Sequence, residues 1–176
     1  RGRMMAKHVA VLKGGWSAER EVSLVSGAAV AGALRRQGYR VSEIDVTPDI
    51  ARTLQALKPD VAFNALHGRW GEAGCIQGLL EILDIPYTHS GVAASAAAMD
   101  KILAKKLFCT VGIPCAADRT VSPDELFAGD PLPRPYVVKP GNEGSSVGVV
   151  IVREGDRLAP DRPGPSRATQ TLTVER

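Results

Sequence analysis

The chain has 176 residues, of which 44% are hydrophobic and 23% charged, and its formal net charge is +3. This composition is typical of one folded domain, or of one domain and part of a second, and the mild charge forms no basic stripe for nucleic acid. No apolar run reaches the length of a membrane span and no secretory signal follows the first methionines, so we expect a cytoplasmic protein without a nucleic-acid or membrane partner. The three cysteines lack metal-ligand spacing, which favours free thiols over a metal site.

In the first half of the chain, strands alternate with helices. After a frayed N-terminus at 1–7, the pattern predicts strands at 8–12, 39–46 and 61–66 and helices at about 17–36, 49–57 and 76–83. Such alternation indicates an α/β fold with a parallel, doubly wound sheet. Ligands bind at the carboxyl ends of the strands in such sheets, so the loops at 14–19 and 67–74 are expected to face one crevice.

The first predicted helix has its own start signal and apolar face. Ser17 is a candidate N-cap, and Gly38 is a candidate residue just beyond the C-terminus. Four apolar residues recur at spacings of three and four and should face the core. They are Leu24, Ala28, Ala31 and Leu34.

The second half predicts helices at 92–99, 102–111 and 122–127, a short strand at 120–121 and a hairpin with strands at 136–138 and 147–152. The helix at 122–127 opens with a capping box, Ser122 to Glu125, and Pro123 at its first position. Lys139 ends the first hairpin strand, and a loop of small residues follows it. That loop either brings backbone N–H groups near an anion or is an ordinary polar hairpin tip, and it lacks the Walker pattern.

The segment after Val152 differs in composition. Residues 153–176 hold three prolines and five arginines. We predict a tail of low order, in which 171–174 alternates like a weak strand.

Three residues in the predicted elements carry open alternatives. Glu19 either complements the dipole of the first helix or binds a substrate ammonium in the crevice. His67 ends a buried strand and is either structural or functional, and its loop also holds Arg69 and Glu72. Lys101 begins a helix, where a cation is electrostatically unfavourable, so it is either solvated or placed to reach a phosphate.

Several stretches together carry a resemblance to a known family. They are Gly-Gly-Trp-Ser-Ala-Glu-Arg-Glu-Val-Ser at 14–23, Ala-Leu-His-Gly at 65–68 with Gly71 and Glu72, Gln-Gly at 77–78, Pro-Tyr-Thr-His-Ser-Gly at 86–91, Met-Asp-Lys at 99–101, Val-Lys-Pro at 138–140 and Glu-Gly-Ser-Ser-Val-Gly at 143–148. In this order they resemble the N-terminal portion of D-alanine–D-alanine ligase, of the ATP-grasp superfamily. The resemblance implies a Rossmann-like (preATP-grasp) domain at 8–90 and the first part of an ATP-grasp domain at 91–152. The tail at 153–176 does not resemble the family.

The resemblance also implies a reaction and a site. In the family, ATP phosphorylates the carboxylate of one D-alanine, and the amine of a second D-alanine attacks the acyl phosphate to give a dipeptide for peptidoglycan synthesis. Glu19 would hold the ammonium of the first D-alanine, with His67 beside it and Ser145 orienting Glu19. ATP would be bound by one set of residues, namely Lys101, Lys139, Glu143, Gly144, Ser145 and Ser146.

The same resemblance sets what the chain is expected to lack. Family members use Mg²⁺ (or Mn²⁺), whose ligands lie in later parts, so no metal ligand is assigned in this chain. We therefore expect a truncated chain that is inactive alone, with a tail that is unrelated, out of frame or strongly divergent. The alternative is a non-catalytic remnant that binds an amino acid or a partner. Family members commonly form homodimers, which leaves a homodimer open here.

Overall fold

The computed structural model describes residues 6–142, 148–156 and 171–176, and it divides into two compact units, Arg1–Ala96 and Ala97–Arg176. The predicted frayed N-terminus therefore lies almost entirely outside the described residues. In the first unit the strands are β1 (His8–Lys13), β2 (Arg40–Asp45) and β3 (Val61–Asn64). Its helices are α1 (Arg20–Arg36), α2 (Ile50–Leu57), α3 (Arg69–Glu72) and α4 (Cys75–Ile82). Helix α5 (Val92–Met99) follows and crosses the boundary between the units.

The first unit contains the predicted parallel sheet. Its strand order is β2-β1-β3, with β1 parallel to both neighbours. The central strand β1 is buried along five of its six residues, as expected for a strand covered on both faces. Val9 and Val11 pack with Ala31 on one face, whereas Ala10 and Leu12 pack with residues of α2 and α4 on the other. This arrangement confirms the α/β prediction.

Helix α1 approaches the sheet through small residues. Ser23, Gly27 and Ala31 are its buried positions, spaced by four. A Cβ atom added at Gly27 would lie 2.4 Å from Cβ of Lys13, so glycine lets the helix lie directly on β1. The apolar face that the sequence predicted is thus only partly right, because Ala28 is exposed. The apolar pattern did not identify the buried face, because Ser23 and Gly27, which have no apolar side chain, occupy the positions closest to the sheet.

The second unit is built on an antiparallel sheet. Its helices are α6 (Lys101–Thr110) and α7 (Pro123–Ala128), and its strands are β4 (Asp118–Val121), β5 (Tyr136–Pro140), β6 (Val150–Val152) and β7 (Leu172–Glu175). The predicted capping box at Ser122 and Glu125 is present at the start of α7. Strands β5 and β6 pair antiparallel, which confirms the hairpin. The second strand begins at Val150 and not at 147 as predicted, because Gly148, with φ of +72°, lies in a turn; Val147 lies outside the described residues.

Strand β7 corrects one prediction for the tail. It lies between β4 and β5 in a sheet of order β4-β7-β5-β6, and Thr173 and Val174 are buried there. Residues 172–175 are therefore an inner strand, which confirms the strand-like alternation at 171–174 and corrects the prediction that these residues belong to a low-order tail. Their partner β4 is more than 50 residues earlier in the chain, so nothing local in the sequence revealed the pairing. Among the described helices, none is long and apolar enough to cross a membrane.

Candidate active site

Two loops at the carboxyl ends of β1 and β3 form one assembly, as the sequence predicted. Ser17 lies in the first loop, and its hydroxyl donates a 2.9 Å hydrogen bond to the carbonyl of His67 in the second. It also accepts from the backbone N–H of Glu19 at 3.2 Å. The prediction of Ser17 as the N-cap is wrong, because α1 begins at Arg20 with Glu19 preceding it, and the Ser17 hydroxyl joins the two loops instead.

Glu19 lies inside this loop assembly. Glu19 is only 8% exposed. A Cβ atom added at Gly68 would lie 2.8 Å from Oε2 of Glu19. The absence of a side chain at Gly68 thus makes room for the carboxylate. Gly68 has φ of +75°, a conformation that other residues rarely adopt. A buried carboxylate at a strand end is suited to bind a cationic group, because burial strengthens charge-assisted hydrogen bonds.

His67 and Glu72 complete the second loop. The His67 ring reaches Ser26 of α1, with Nε2 and Oγ 3.4 Å apart. The Glu72 carboxylate accepts a 2.7 Å hydrogen bond from the backbone N–H of Gly68. Glu72 therefore closes the loop on itself, and His67 joins that loop to the helix that follows Glu19.

Ser23 joins the two loops at their base. It belongs to the motif at 14–23, but nothing in the sequence indicated a role for it. Ser23 is fully buried in α1. Its hydroxyl accepts from the Gly14 backbone N–H at 2.9 Å and donates to the Ala65 carbonyl at 2.7 Å. One buried hydroxyl thus satisfies one backbone group in each loop.

The two candidate phosphate-binding lysines lie in the second unit, where backbone hydrogen bonds join their elements. Lys101 is the first residue of α6, which Asp100 caps by accepting from the N–H groups of Ile102 and Leu103. The Lys101 backbone N–H donates to the carbonyl of Gly141, which follows β5, at 3.1 Å. The start of α6 is therefore attached to the end of the strand that carries Lys139.

Lys139 has a partner that the sequence did not suggest. Its ammonium forms an ion pair with Glu175 of β7, and the two side chains are 29% and 18% exposed. Lys105, one turn after Lys101 on α6, lies 3.4 Å from the other oxygen of Glu175 and 3.0 Å from Asp118. Lys101 and Lys105 are four residues apart, and this spacing on one helix face was a readable signal for a basic cluster.

Charge balance stabilises this cluster despite its partial burial. Burial opposes ionisation of Glu175, but the hydrogen bond and charge of Lys139, together with Lys105, outweigh it and hold the pKa of Glu175 below its usual value. For Lys105 burial again opposes the charge, and Asp118 and Glu175 outweigh it, so its pKa is raised. The Glu175 carboxylate and the Lys105 ammonium are therefore charged at neutral pH.

Four predicted site residues lie outside the described residues, namely Glu143, Gly144, Ser145 and Ser146. The expected contact of Ser145 with Glu19 stays a prediction. Among the described residues, no group of three or more His, Cys, Asp or Glu side chains is arranged to hold a metal ion.

Comparisons with known proteins find D-alanine--D-alanine ligases. Residues 49–90 match the family model described as D-ala D-ala ligase N-terminus. The chain is 63% identical over 155 residues to a D-alanine--D-alanine ligase of Parvibaculum lavamentivorans, covering 88% of this chain and 50% of that relative. It is 59% identical over 171 residues to one of Cereibacter sphaeroides, covering 95% of this chain and 54% of the relative.

Solved structures give the same result for the fold. A D-alanine--D-alanine ligase of Bacillus anthracis superposes with a TM-score of 0.77 and 31% identity, over 97% of this chain and 57% of that one. The same ligase complexed with ATP gives a TM-score of 0.75 and 29% identity.

The coverage of these matches bears on the tail and on the family. Residues 1–152 are less than nine-tenths of the 176, so a match over 95% of the chain extends beyond Val152. The chain spans about half the length of the curated relatives it matches. By sequence and by fold, it is similar to the N-terminal portion of D-alanine--D-alanine ligases.

Proposed function

We propose that this chain is the N-terminal portion of an ATP-dependent ligase that joins two D-alanine molecules. The observation that carries the proposal is the buried carboxylate of Glu19, held against Gly68 between two loops. It occurs in a chain that is 63% identical to a D-alanine--D-alanine ligase. The cytoplasm and peptidoglycan synthesis are the setting that the family resemblance implies, and a homodimer is a further expectation from it.

The first unit is proposed to bind the amino acid. Glu19 accepts hydrogen bonds from the ammonium of the first D-alanine, and a buried carboxylate does so more strongly than an exposed one. His67 lies beside that substrate, its ring directed by Ser26. The reaction then needs ATP to phosphorylate the substrate carboxylate, so that the amine of the second D-alanine displaces phosphate.

The second unit is proposed to bind ATP. Lys101 and Lys139 lie on elements whose ends are hydrogen-bonded to each other through Gly141. Two ammonium groups neutralise phosphate charge, and phosphoryl transfer depends mainly on such neutralisation and on positioning. A Bacillus anthracis D-alanine--D-alanine ligase of the same fold is complexed with ATP, which supports ATP as the nucleotide.

A divalent metal does not fit the described residues of this cluster. Its acidic side chains, Glu175 and Asp118, are both ion-paired to lysines, and the described residues hold no group of three or more side chains that could bind a metal ion. We therefore assign no metal ligand among them.

Replacement of Glu19 by Gln tests the proposal. The protein used has the length of the relatives and carries this chain as its N-terminal portion, and D-alanine-dependent ADP release is measured. Because Gln keeps the size but loses the charge, we expect kcat/KM for D-alanine to fall by about tenfold to a hundredfold, the equivalent of a charge-assisted hydrogen bond of roughly 1.5–3 kcal/mol.

The matched control for this variant is Glu21→Gln. Glu21 is exposed in the first turn of α1, two residues from Glu19, so it tests the charge of the helix start alone. We expect this variant to retain activity. Equal activity of Glu19→Gln and Glu21→Gln would remove Glu19 from the substrate site.

A second candidate function is amino-acid binding without catalysis. The observation that favours it is that Glu19, His67 and both loops belong to the first unit, which is compact by itself. Calorimetric titration of the 176-residue chain with D-alanine tests this function, with Glu19→Gln as the non-binding comparison.

A further inference from the structure

The two tryptophans of the chain lie against each other in the loop assembly. Trp16 comes from the loop after β1 and Trp70 from α3, and they are the only tryptophans in the sequence. Their ring centroids are 5.6 Å apart with planes at 41°, a common geometry of aromatic pairs. The guanidinium carbon of Arg69 lies 5.3 Å from the centre of the Trp70 ring. Aromatic and cationic groups from two loops thus meet at one place.

The pair is the outermost of three connections between the loops. Buried Ser23 joins Gly14 to Ala65 at the base. The partly buried Ser17 hydroxyl joins the middle of one loop to His67 in the other. Trp16 and Trp70, 48% and 38% exposed, make the third connection near solvent.

Packing of a core does not account for the tryptophan pair. Neither ring belongs to the core clusters of the described residues, which lie on the two faces of the parallel sheet and in the second unit. A half-exposed tryptophan in a loop contributes little to core burial and leaves apolar surface in water. Its contact with a ring from another loop fixes the distance between those loops.

Glu19 lies where that distance matters. Glu19 is the last residue of the first loop, and its carboxylate occupies the space where a side chain at Gly68 of the second loop would lie. A separation of the loops would therefore open the space around the carboxylate and expose it to water. Displacements of this kind weaken a binding site even where no contact to the ligand is lost directly.

We propose that Trp16 and Trp70 are positioning residues that hold the two loops together and so keep Glu19 buried against Gly68. The pair acts through Glu19 and does not itself contact the substrate. The part of this inference that concerns substrate rests on the proposed function, whereas the coupling between the loops does not.

Amide hydrogen exchange of the 176-residue chain tests the coupling without any ligand. Trp16→Ala should speed exchange in the opposite loop at 67–74 several-fold, and Trp70→Ala should do the same at 14–19. Trp16→Phe keeps a ring and should restore slow exchange. Val25→Ala is the control, because it truncates a more exposed apolar side chain of α1 that lies outside both loops.

Two results would overturn the coupling. One is that each alanine variant alters only its own loop, and the other is that the phenylalanine variant behaves like the alanine variant. If Trp16→Ala raises exchange throughout the first unit, Trp16→Leu replaces it, since leucine is apolar but lacks a ring. Faster exchange at 67–74 in Trp16→Leu but not in Trp16→Phe would support the coupling, and equal exchange in the two would contradict it.

The second arm measures kinetics on a protein of the relatives' length. Trp16→Ala should raise KM for D-alanine by about tenfold and leave KM for ATP unchanged, because only the first unit is disturbed. Trp16→Phe should recover most of that loss. If Glu19→Gln raises KM for D-alanine and Trp16→Ala does not, the proposed positioning role of Trp16 is wrong. If neither variant affects D-alanine, the assignment of Glu19 fails, and the exchange experiment alone decides the coupling.

Discussion

His8 is a buried histidine at the start of β1, only 4% exposed. Its Nε2 is 2.9 Å from the Ser42 hydroxyl, and among the described residues Nδ1 has no hydrogen-bond partner. Burial lowers the pKa of His8 from 6.5, the positive charge of Arg40 lowers it further, and Asp60 partly opposes them. The folded chain therefore favours the neutral ring.

This histidine predicts a loss of stability on mild acidification. Below about pH 6.5 the unfolded chain takes up a proton that the folded chain resists, so the free energy of unfolding falls as the pH is lowered from about 7.5 to 5.5. The carboxylates with lowered pKa, such as Glu43 and Asp45, lose their contribution only at more acidic pH. Urea unfolding at the two pH values measures the change.

The control variant is His8→Met, which is apolar and cannot titrate in this range. Its free energy of unfolding should vary less between the two pH values than that of the unaltered chain. An identical pH dependence in both proteins would show that His8 is not the responsible group.

Single residues also show where sequence reasoning ended. The positions of His67, after a strand, and of Glu19, at the start of the first helix, were predictable, because topology places the loops that follow these strands at one edge of the sheet. The role of Ser17 was not predictable from the sequence, because the same hydroxyl could either cap the helix or form a hydrogen bond to the other loop. The family resemblance implies an ATP contact for Lys139, and its ion pair with Glu175 adds a structural role that only the tertiary fold reveals.

Among the elements, β7 was the hardest to predict. It is four residues long and follows a segment rich in proline and arginine, so its local pattern is weak. Its place between β4 and β5 depends on pairing with residues far away in the chain, which strand propensity does not encode. The capping box of α7, by contrast, was predicted because its signal lies within one helical turn.

The ion pair between β5 and β7 predicts energetic coupling between these strands. Lys139→Met and Glu175→Gln should each destabilise the second unit, and a double-mutant cycle should give a coupling energy of about 1 kcal/mol. Both tryptophans lie in the first unit, so tryptophan fluorescence would not report on the second unit. Unfolding is therefore followed by circular dichroism.

The pair Arg35 and Glu43 provides the comparison for this cycle. Arg35 is 50% exposed, so its coupling energy should be below about 0.5 kcal/mol. A coupling energy for Lys139 and Glu175 no larger than this would mean that the pair does not fasten β7 to the sheet.

At the scale of the whole chain, two compact units carry the two groups of candidate residues. The carboxylate that is proposed to bind D-alanine lies in the first unit, and the lysines proposed to bind ATP lie in the second. The motifs predicted both groups because each follows a strand or begins a helix at a recognisable loop. The chain spans about half the length of its curated relatives, so the proposed reaction is tested on a protein of their length.

Product analysis on that protein tests the central claim most directly. It is incubated with ATP and either D-alanine or L-alanine, and dipeptide and ADP are quantified by mass spectrometry and a coupled assay. We predict that D-alanine gives D-alanyl-D-alanine with one ADP for each dipeptide, and that L-alanine gives neither. Turnover of ATP without dipeptide, or a dipeptide formed equally well from L-alanine, would contradict the assignment.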